Sequence, residues 1–210
     1  MKRFPKRAAL AAALASIGAL AVPSAASATV TSTVDQAQNR LTVDSNEDAD
    51  SIVLGVAAGA ITVNGQPTAT PLTADDNAQI VINAGGGNDT VDASALVAAN
   101  YGTLTINGGA GDDLLTGGAD ADTLDGDVGN DRLIAFKNTV PGSTDVVSGG
   151  EGDDVMVWNN GDGTDINDGD NGTDEVEVNG STSPSAGDAF IYKADPNNAA
   201  RVQFNRTNLV

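Results

Sequence analysis

The chain has 210 residues, with 29 acidic against 10 basic side chains, no cysteine and no histidine. A formal charge of −19 argues against nucleic acid, which asks for a basic surface, and opposes compaction unless counterions are held. Without Cys or His there is no disulfide, no thiolate or imidazole zinc site, no cysteine nucleophile and no Ser-His-Asp base.

Residues 1–28 read as a secretory signal peptide. Lys2, Arg3, Lys6 and Arg7 form a positive start, Ala8 to Val22 an apolar run, and Ala26-Ser27-Ala28 a small-residue cleavage site. The alternative is a membrane anchor, but the run is short and ends in Pro23 and small residues. Export to the extracellular space is expected, and no second stretch is apolar and long enough to span a bilayer.

Residues 29–83 are expected to be a β-rich cap or the opening turns of a repeat array, where repeats are often atypical. A separate small sandwich is the alternative. Leu41-Thr42-Val43, Ser51 to Leu54, Ala60 to Val63 and Gln79 to Ile82 are short strand candidates, with Asn64-Gly65 as a turn. Asn46 to Ile52 reads as a degenerate acidic turn that lacks glycine.

A regular array follows over residues 84–178. Ala84 to Asp92 is its first good unit, with Asp89 sixth; residues 93–103 interrupt it as one helical turn or a wider loop. Residues 108–134 then hold three nine-residue units end to end. Each starts with glycine-rich small residues and places an aspartate sixth (Asp113, Asp122, Asp131) and a leucine eighth (Leu115, Leu124, Leu133). Glycine allows the positive φ of a tight turn, and a flexible Gly/Asp linker would have no need of leucines in phase. After Phe136 a longer turn leads to Asp145. Gly149 to Val157 is a good unit around Asp154, the next around Asp165 is looser with Asn167 at the aliphatic position, and Gly169 to Glu177 restores the pattern around Asp174. Residues 179–210 read as a β-hairpin covering the open end, from Ala189 to Tyr192 and the alternating Arg201 to Arg206.

The units match the pattern G-G-x-G-x-D-x-U-x, and the chain resembles the RTX, or haemolysin-type, calcium-binding repeat family. The resemblance implies an all-β fold: a right-handed parallel β-roll, or β-solenoid, of calcium repeats with β-rich N- and C-terminal caps. It implies Ca2+ between stacked turns, held by Asp89, Asp113, Asp122, Asp131, Asp145, Asp154, Asp165 and Asp174. Turn positions Gly108, Gly111, Gly117, Gly126, Gly129, Gly149, Gly152 and Gly172 would supply backbone oxygens. Calcium takes about six to eight oxygen ligands. Pairing alternate turns stacks 113 with 131, 131 with 154 and 154 with 174 on one side, and 122 with 145 and 145 with 165 on the other. That gives up to about five sites of extracellular-module affinity, roughly 10⁻⁴–10⁻³ M.

Two departures matter. Family members exported in one step carry a C-terminal signal, whereas here the signal is N-terminal; and no pore-forming or acylation segment is recognisable. The chain ends at Val210 where similar secreted proteins continue, so it reads as a shortened member or a fragment. A non-catalytic structural or adhesive secreted protein is expected, with a cell-surface, polysaccharide or protein partner that the sequence does not name. A solenoid enzyme acting on polysaccharides is the competing class, since acidic pairs are abundant. Every good pair is already explained by metal-ligand spacing, though, and Arg132 and Lys137 are the only basic residues inside the array. The third option is the repeat remnant of a larger secreted protein.

Overall fold

The computed structural model describes residues 29–74, 77–137, 143–180, 188–194 and 202–208. The expected signal peptide, the Val140-Pro141-Gly142 turn, the Ser/Thr/Pro loop before 188, the Asp-Pro-Asn-Asn turn and Arg201 lie outside them. The described chain is all-β. In order the strands are β1 (Thr31–Asp35), β2 (Arg40–Asp44), β3 (Ser51–Ala57), β4 (Ala60–Val63), β5 (Gln66–Pro67), β6 (Gln79–Gly86), β7 (Thr90–Asp92), β8 (Thr103–Ala110) and β9 (Leu114–Thr116). They continue as β10 (Asp122–Val128), β11 (Arg132–Ile134), β12 (Thr144–Glu151), β13 (Val155–Asn159), β14 (Thr164–Asn171), β15 (Glu175–Asn179), β16 (Asp188–Ala194) and β17 (Val202–Asn208).

The strands alternate between two sheets. One runs β1-β2-β6-β8-β10-β12-β14, the other β15-β13-β11-β9-β7-β3-β4-β5. From β2 to β14 and from β3 to β15 the neighbours are parallel. β1, and the β3-β4-β5 meander, add antiparallel strands at the N-terminal end. The strands of 29–83 thus continue both sheets of the repeat region. β16 and β17 form an antiparallel hairpin, with β17 beside β14.

The strands differ in length on the two sides. β7, β9 and β11 have three residues each, as a six-residue turn leaves room for, while β8 and β12 have eight and run into the first glycines of the following turn. Inside the 93–103 interruption lies a single 3-10 turn, Ala98–Asn100.

Three inward columns fill the space between the sheets. The eighth-position residues Ile52, Val91, Leu115, Leu133, Met156 and Val176 are in register in one sheet. In the other, Val43, Ile82, Ile106, Leu124, Val147 and Asn167 form a second column. The third begins with Leu41, Ile80 and Leu104, then changes to Asp122, Asp145 and Asp165. Fully buried leucines and isoleucines run from Leu41 to Leu133, and most of them precede Leu124.

Position four of the unit explains one glycine. Gly111, Gly129, Gly152 and Gly172 all have positive φ. In each, a Cβ would overlap the backbone carbonyl of the glycine one turn earlier, Gly87, Gly111, Gly129 and Gly152 in turn. The turns therefore stack backbone on backbone. Gly65 also has positive φ, but nothing lies within 4 Å of a Cβ there. Gly65→Ala should cost about 1–2 kcal/mol from backbone strain alone. Gly129→Ala should cost at least about 2 kcal/mol more from the overlap, read by thermal melting in millimolar calcium. Equal losses would show that the turns are not in contact.

Candidate metal centre

The sixth-position aspartates of one side form a file. The Asp89 N–H donates to Asp113 Oδ1 at 2.7 Å, Asp113 N–H to Asp131 Oδ1 at 2.8 Å, Asp131 N–H to Asp154 Oδ1 at 2.8 Å, and Asp154 N–H to Asp174 Oδ1 at 3.1 Å. Each carboxylate so satisfies a turn amide that no strand partner reaches. Asp89 joins this file directly, because residues 93–103 are accommodated on the other side.

The file starts one turn earlier than the glycine pattern indicates. Asp50 N–H donates to Asp89 Oδ1 at 2.7 Å, and Asp50 Oδ2 accepts from the Ser45 hydroxyl. Ser45 to Val53 is a nine-residue unit with Asp50 sixth and Ile52 eighth, and Gly85 and Gly87 stack on Asn46 and on Asp48-Ala49. Without glycine this turn reads as degenerate in the sequence and Asp50 has no assigned role there; its signal is the 6–8 spacing, which survives.

A second file runs beside the first at position five, where the repeat pattern specifies nothing. Asp112 N–H donates to Asn88 Oδ1 at 3.2 Å, Asn130 N–H to Asp112 Oδ1 at 2.9 Å, Asp153 N–H to Asn130 Oδ1 at 2.8 Å, and Thr173 N–H to Asp153 Oδ1 at 2.9 Å. The signal in the sequence is that Asn88, Asp112, Asn130 and Asp153 each stand one residue before the sixth-position aspartate.

On the opposite side, Asp122 N–H donates to Asp145 Oδ1 at 2.8 Å, and Asp145 and Asp165 share side-chain and backbone hydrogen bonds. A hydrogen bond between two carboxyls needs a proton, and burial followed by the Asp145 charge raises the pKa of Asp165. Asp122 differs from the first file: its Oδ2 accepts from Gly118 N–H at 2.6 Å and its Oδ1 from the Tyr101 hydroxyl at 3.0 Å. Asp162, also unassigned from the sequence, is buried; burial raises its pKa, while hydrogen bonds from Asn159 and the charge of Lys137 lower it.

Charge is the unresolved quantity of the first file. Asp89, Asp113, Asp131 and Asp154 are all buried, and the Oδ2 of each lacks a hydrogen-bond donor. Such orphaned oxygens are costly. They lie where the first-position glycines leave room. A Cβ on Gly126 would overlap both Asp131 Oδ2 and the Gly149 carbonyl oxygen, and one on Gly108 would overlap Asp113 Oδ2 and lie 2.9 Å from the Gly126 carbonyl oxygen. At Gly117 the same point is 2.6 Å from Asp122 Oδ2 and from the Ala135 carbonyl oxygen, and at Gly149 it overlaps Asp154 Oδ2. Beside Gly108 and Gly126, carboxylate and carbonyl oxygens thus converge on small spaces with no donor to the carboxylate oxygen, a donor set that suits a hard divalent cation. Among the described residues no three acidic side chains gather at one point, so a cation here would draw on stacked carboxylates and turn carbonyls together.

Burial is the main cause of the raised pKa values in the first file and in Asp122 and Asp165 on the opposite side. Asp113 is pushed up to about 6 and Asp131 to about 7, each also raised by its acidic neighbours. Asp122 is pushed up to about 8 by burial and then by the Asp145 charge. Burial likewise raises Asp89 and Asp154. A carboxyl with a raised pKa in the folded state contributes stability below its ordinary value of 3.8 that is lost as pH rises through the folded value. The metal-free chain should therefore gain order as pH falls from 8.5 towards 5, while apparent calcium affinity falls over the same interval because protons compete. Far-ultraviolet circular dichroism in chelator across that range checks the first part; loss of structure on acidification would contradict it.

No curated protein and no solved structure matches the chain. The family model for the RTX calcium-binding nonapeptide repeat matches in four copies, over residues 81–95, 105–133 and 142–165. Those segments contain Asp89, Asp113, Asp122, Asp131, Asp145, Asp154 and Asp165, and omit Asp50 and Asp174. The chain therefore carries RTX calcium-binding nonapeptide repeats.

Proposed function

We propose that this is a secreted calcium-binding protein whose repeat region closes as a right-handed parallel β-roll when it meets extracellular calcium, and whose role is structural or adhesive. The observation that carries this reading is the file of buried aspartates with one unpartnered oxygen each. Two carboxylates stacked one strand spacing apart, about 5 Å, repel by roughly 3 kcal/mol at an effective dielectric near 20. One buried aliphatic side chain per unit contributes about 1.5–3 kcal/mol, and ordering nine residues costs more than that remainder. Apolar burial alone does not hold the C-terminal turns.

Calcium, when bound, neutralises the stacked carboxylates. Asp89, Asp113, Asp131 and Asp154 would hold it, with carbonyl oxygens such as those of Gly126 and Gly149. Asp145 and Asp165 would serve the opposite side. The chain's own contribution is to preset the carboxylates through the amide hydrogen bonds to Oδ1, which leaves Oδ2 turned to the shared space.

The reading is non-catalytic. The buried carboxylates are committed to stacking, and Arg132 is engaged by Glu177 at 2.6 Å. No helix among the described residues is long and apolar enough to cross a membrane, and attachment to a surface would use the outer faces of the sheets.

Circular dichroism of residues 29–210 in EGTA and then in millimolar calcium should show a large gain of β-structure. Equal signal in both would reject the coupling of binding to folding. Asp131→Ala should raise the calcium midpoint at least about tenfold, or about 1.4 kcal/mol, whereas Glu151→Ala, on an exposed side chain, should leave it within about twofold. Similar midpoints for the two variants would remove the buried file from the account.

A further inference from the structure

We propose that the fold is divided at Tyr101: the aliphatic strands β2, β6 and β8, with the turn that contains Asp122, assemble without calcium and serve as the template on which the calcium-requiring turns stack. This rests on the calcium reading above and adds a direction to it.

The inward column of the first sheet carries the argument. It is aliphatic through Leu41, Ile80 and Leu104, then acidic through Asp122, Asp145 and Asp165. At that junction a carboxylate needs a partner on the side where no earlier acidic turn exists. Tyr101 supplies it. The side chain is fully buried, and its hydroxyl donates to Asp122 Oδ1 at 3.0 Å and accepts the Asp120 N–H at 2.8 Å. A Cβ on Gly118 would lie 2.9 Å from Cζ of the ring, so the phenol fills the space beside this turn. Gly118 N–H takes the other oxygen of Asp122 at 2.6 Å. Both oxygens of Asp122 are therefore satisfied by the chain itself, in contrast to Asp113, Asp131 and Asp154.

The interruption at 93–103 is the device that delivers Tyr101. Leu96 is fully buried beneath it, Ala119 N–H donates to the Leu96 carbonyl at 3.2 Å, and Gly102 N–H to the Ala78 carbonyl at 2.8 Å. The loop is tied to the strands on one side and to the Asp122 turn on the other. Most of the fully buried leucines and isoleucines lie between Leu41 and Leu115, with Leu124 and Leu133 following them. An aliphatic block closed by a phenol thus precedes a block whose core is partly carboxylate. Tyr101 acts here as a positioning residue that stands where a further acidic turn and its cation would otherwise be required.

Hydrogen exchange with mass-spectrometric readout on residues 29–210 tests the division. In EGTA, the amides of β6, β8 and the 117–122 turn should be protected, and those of the 149–154 and 169–174 turns should exchange freely; calcium should slow the latter at least about a hundredfold. Tyr101→Phe, which keeps the ring, should speed exchange at 118–122 in EGTA about tenfold or more while leaving the calcium midpoint of the 149–154 turn unchanged. Asp131→Asn should do the reverse, shifting that midpoint and leaving β6 and β8 protected in EGTA. Free exchange along the whole chain in EGTA, recovered uniformly with calcium, would overturn the template while leaving calcium-coupled folding intact. Protection everywhere with and without calcium would overturn both. A Tyr101→Phe chain indistinguishable from the parent in EGTA would remove Tyr101 from the role given to it.

Discussion

The hydrogen bond from each turn's sixth-position amide to the Oδ1 of the same residue one turn on sets the terms for the rest of the molecule. It solves one problem of a stacked turn, a backbone donor with no strand partner, and creates another. The carboxylate that solves it must be buried, and only one of its oxygens is used. Asp89, Asp113, Asp131 and Asp154 each keep an unpartnered Oδ2 inside the protein. The glycines at position one follow from this, because a Cβ on Gly108, Gly126 or Gly149 would fall on that oxygen. The acidic composition follows too: the stack recruits the carboxylates, and a counterion is the partner that fits the space they leave.

The core is graded along the chain. At the N-terminal end the space between the sheets is filled by Leu41, Ile52, Leu54, Ile61, Leu72 and Ile80, and at the C-terminal end by Leu124, Leu133, Val147 and Met156 alongside Asp145, Asp165 and Asn167. Aliphatic and acidic inward residues are therefore not spread evenly. Aliphatic ones fill the end where antiparallel strands β1, β4 and β5 thicken the sheets, and buried carboxylates join them in the later turns.

Periodicity made most of the site legible. The offset between a carboxylate at position six and an aliphatic residue at position eight is enough to place one in the turn and the other in a short strand facing inward, and alternate turns bring 113 to 131, 131 to 154 and 122 to 145 as the family resemblance implies. The sequence was silent where position, rather than residue type, decides. Asp50 occupies the head of the file although its turn has no glycine, because Asn46 to Ala49 accept the stacking of Gly85 and Gly87 through backbone alone. The Asx file at 88, 112, 130 and 153 sits at a position where the motif tolerates any residue. Tyr101 lies in an interruption whose length gives no hint that its side chain returns to a turn nineteen residues later.

The account stands or falls on where cations sit. Crystals of residues 29–210 grown in millimolar calcium, measured at a wavelength that brings out the anomalous signal of calcium, would show it directly. The expected map has a peak in contact with the Oδ2 of each of Asp89, Asp113, Asp131 and Asp154, joined by turn carbonyls, and none between Tyr101 and Asp122. An ordered, folded chain whose Oδ2 atoms stay without any ion would contradict the claim that buried carboxylates are held in place by calcium.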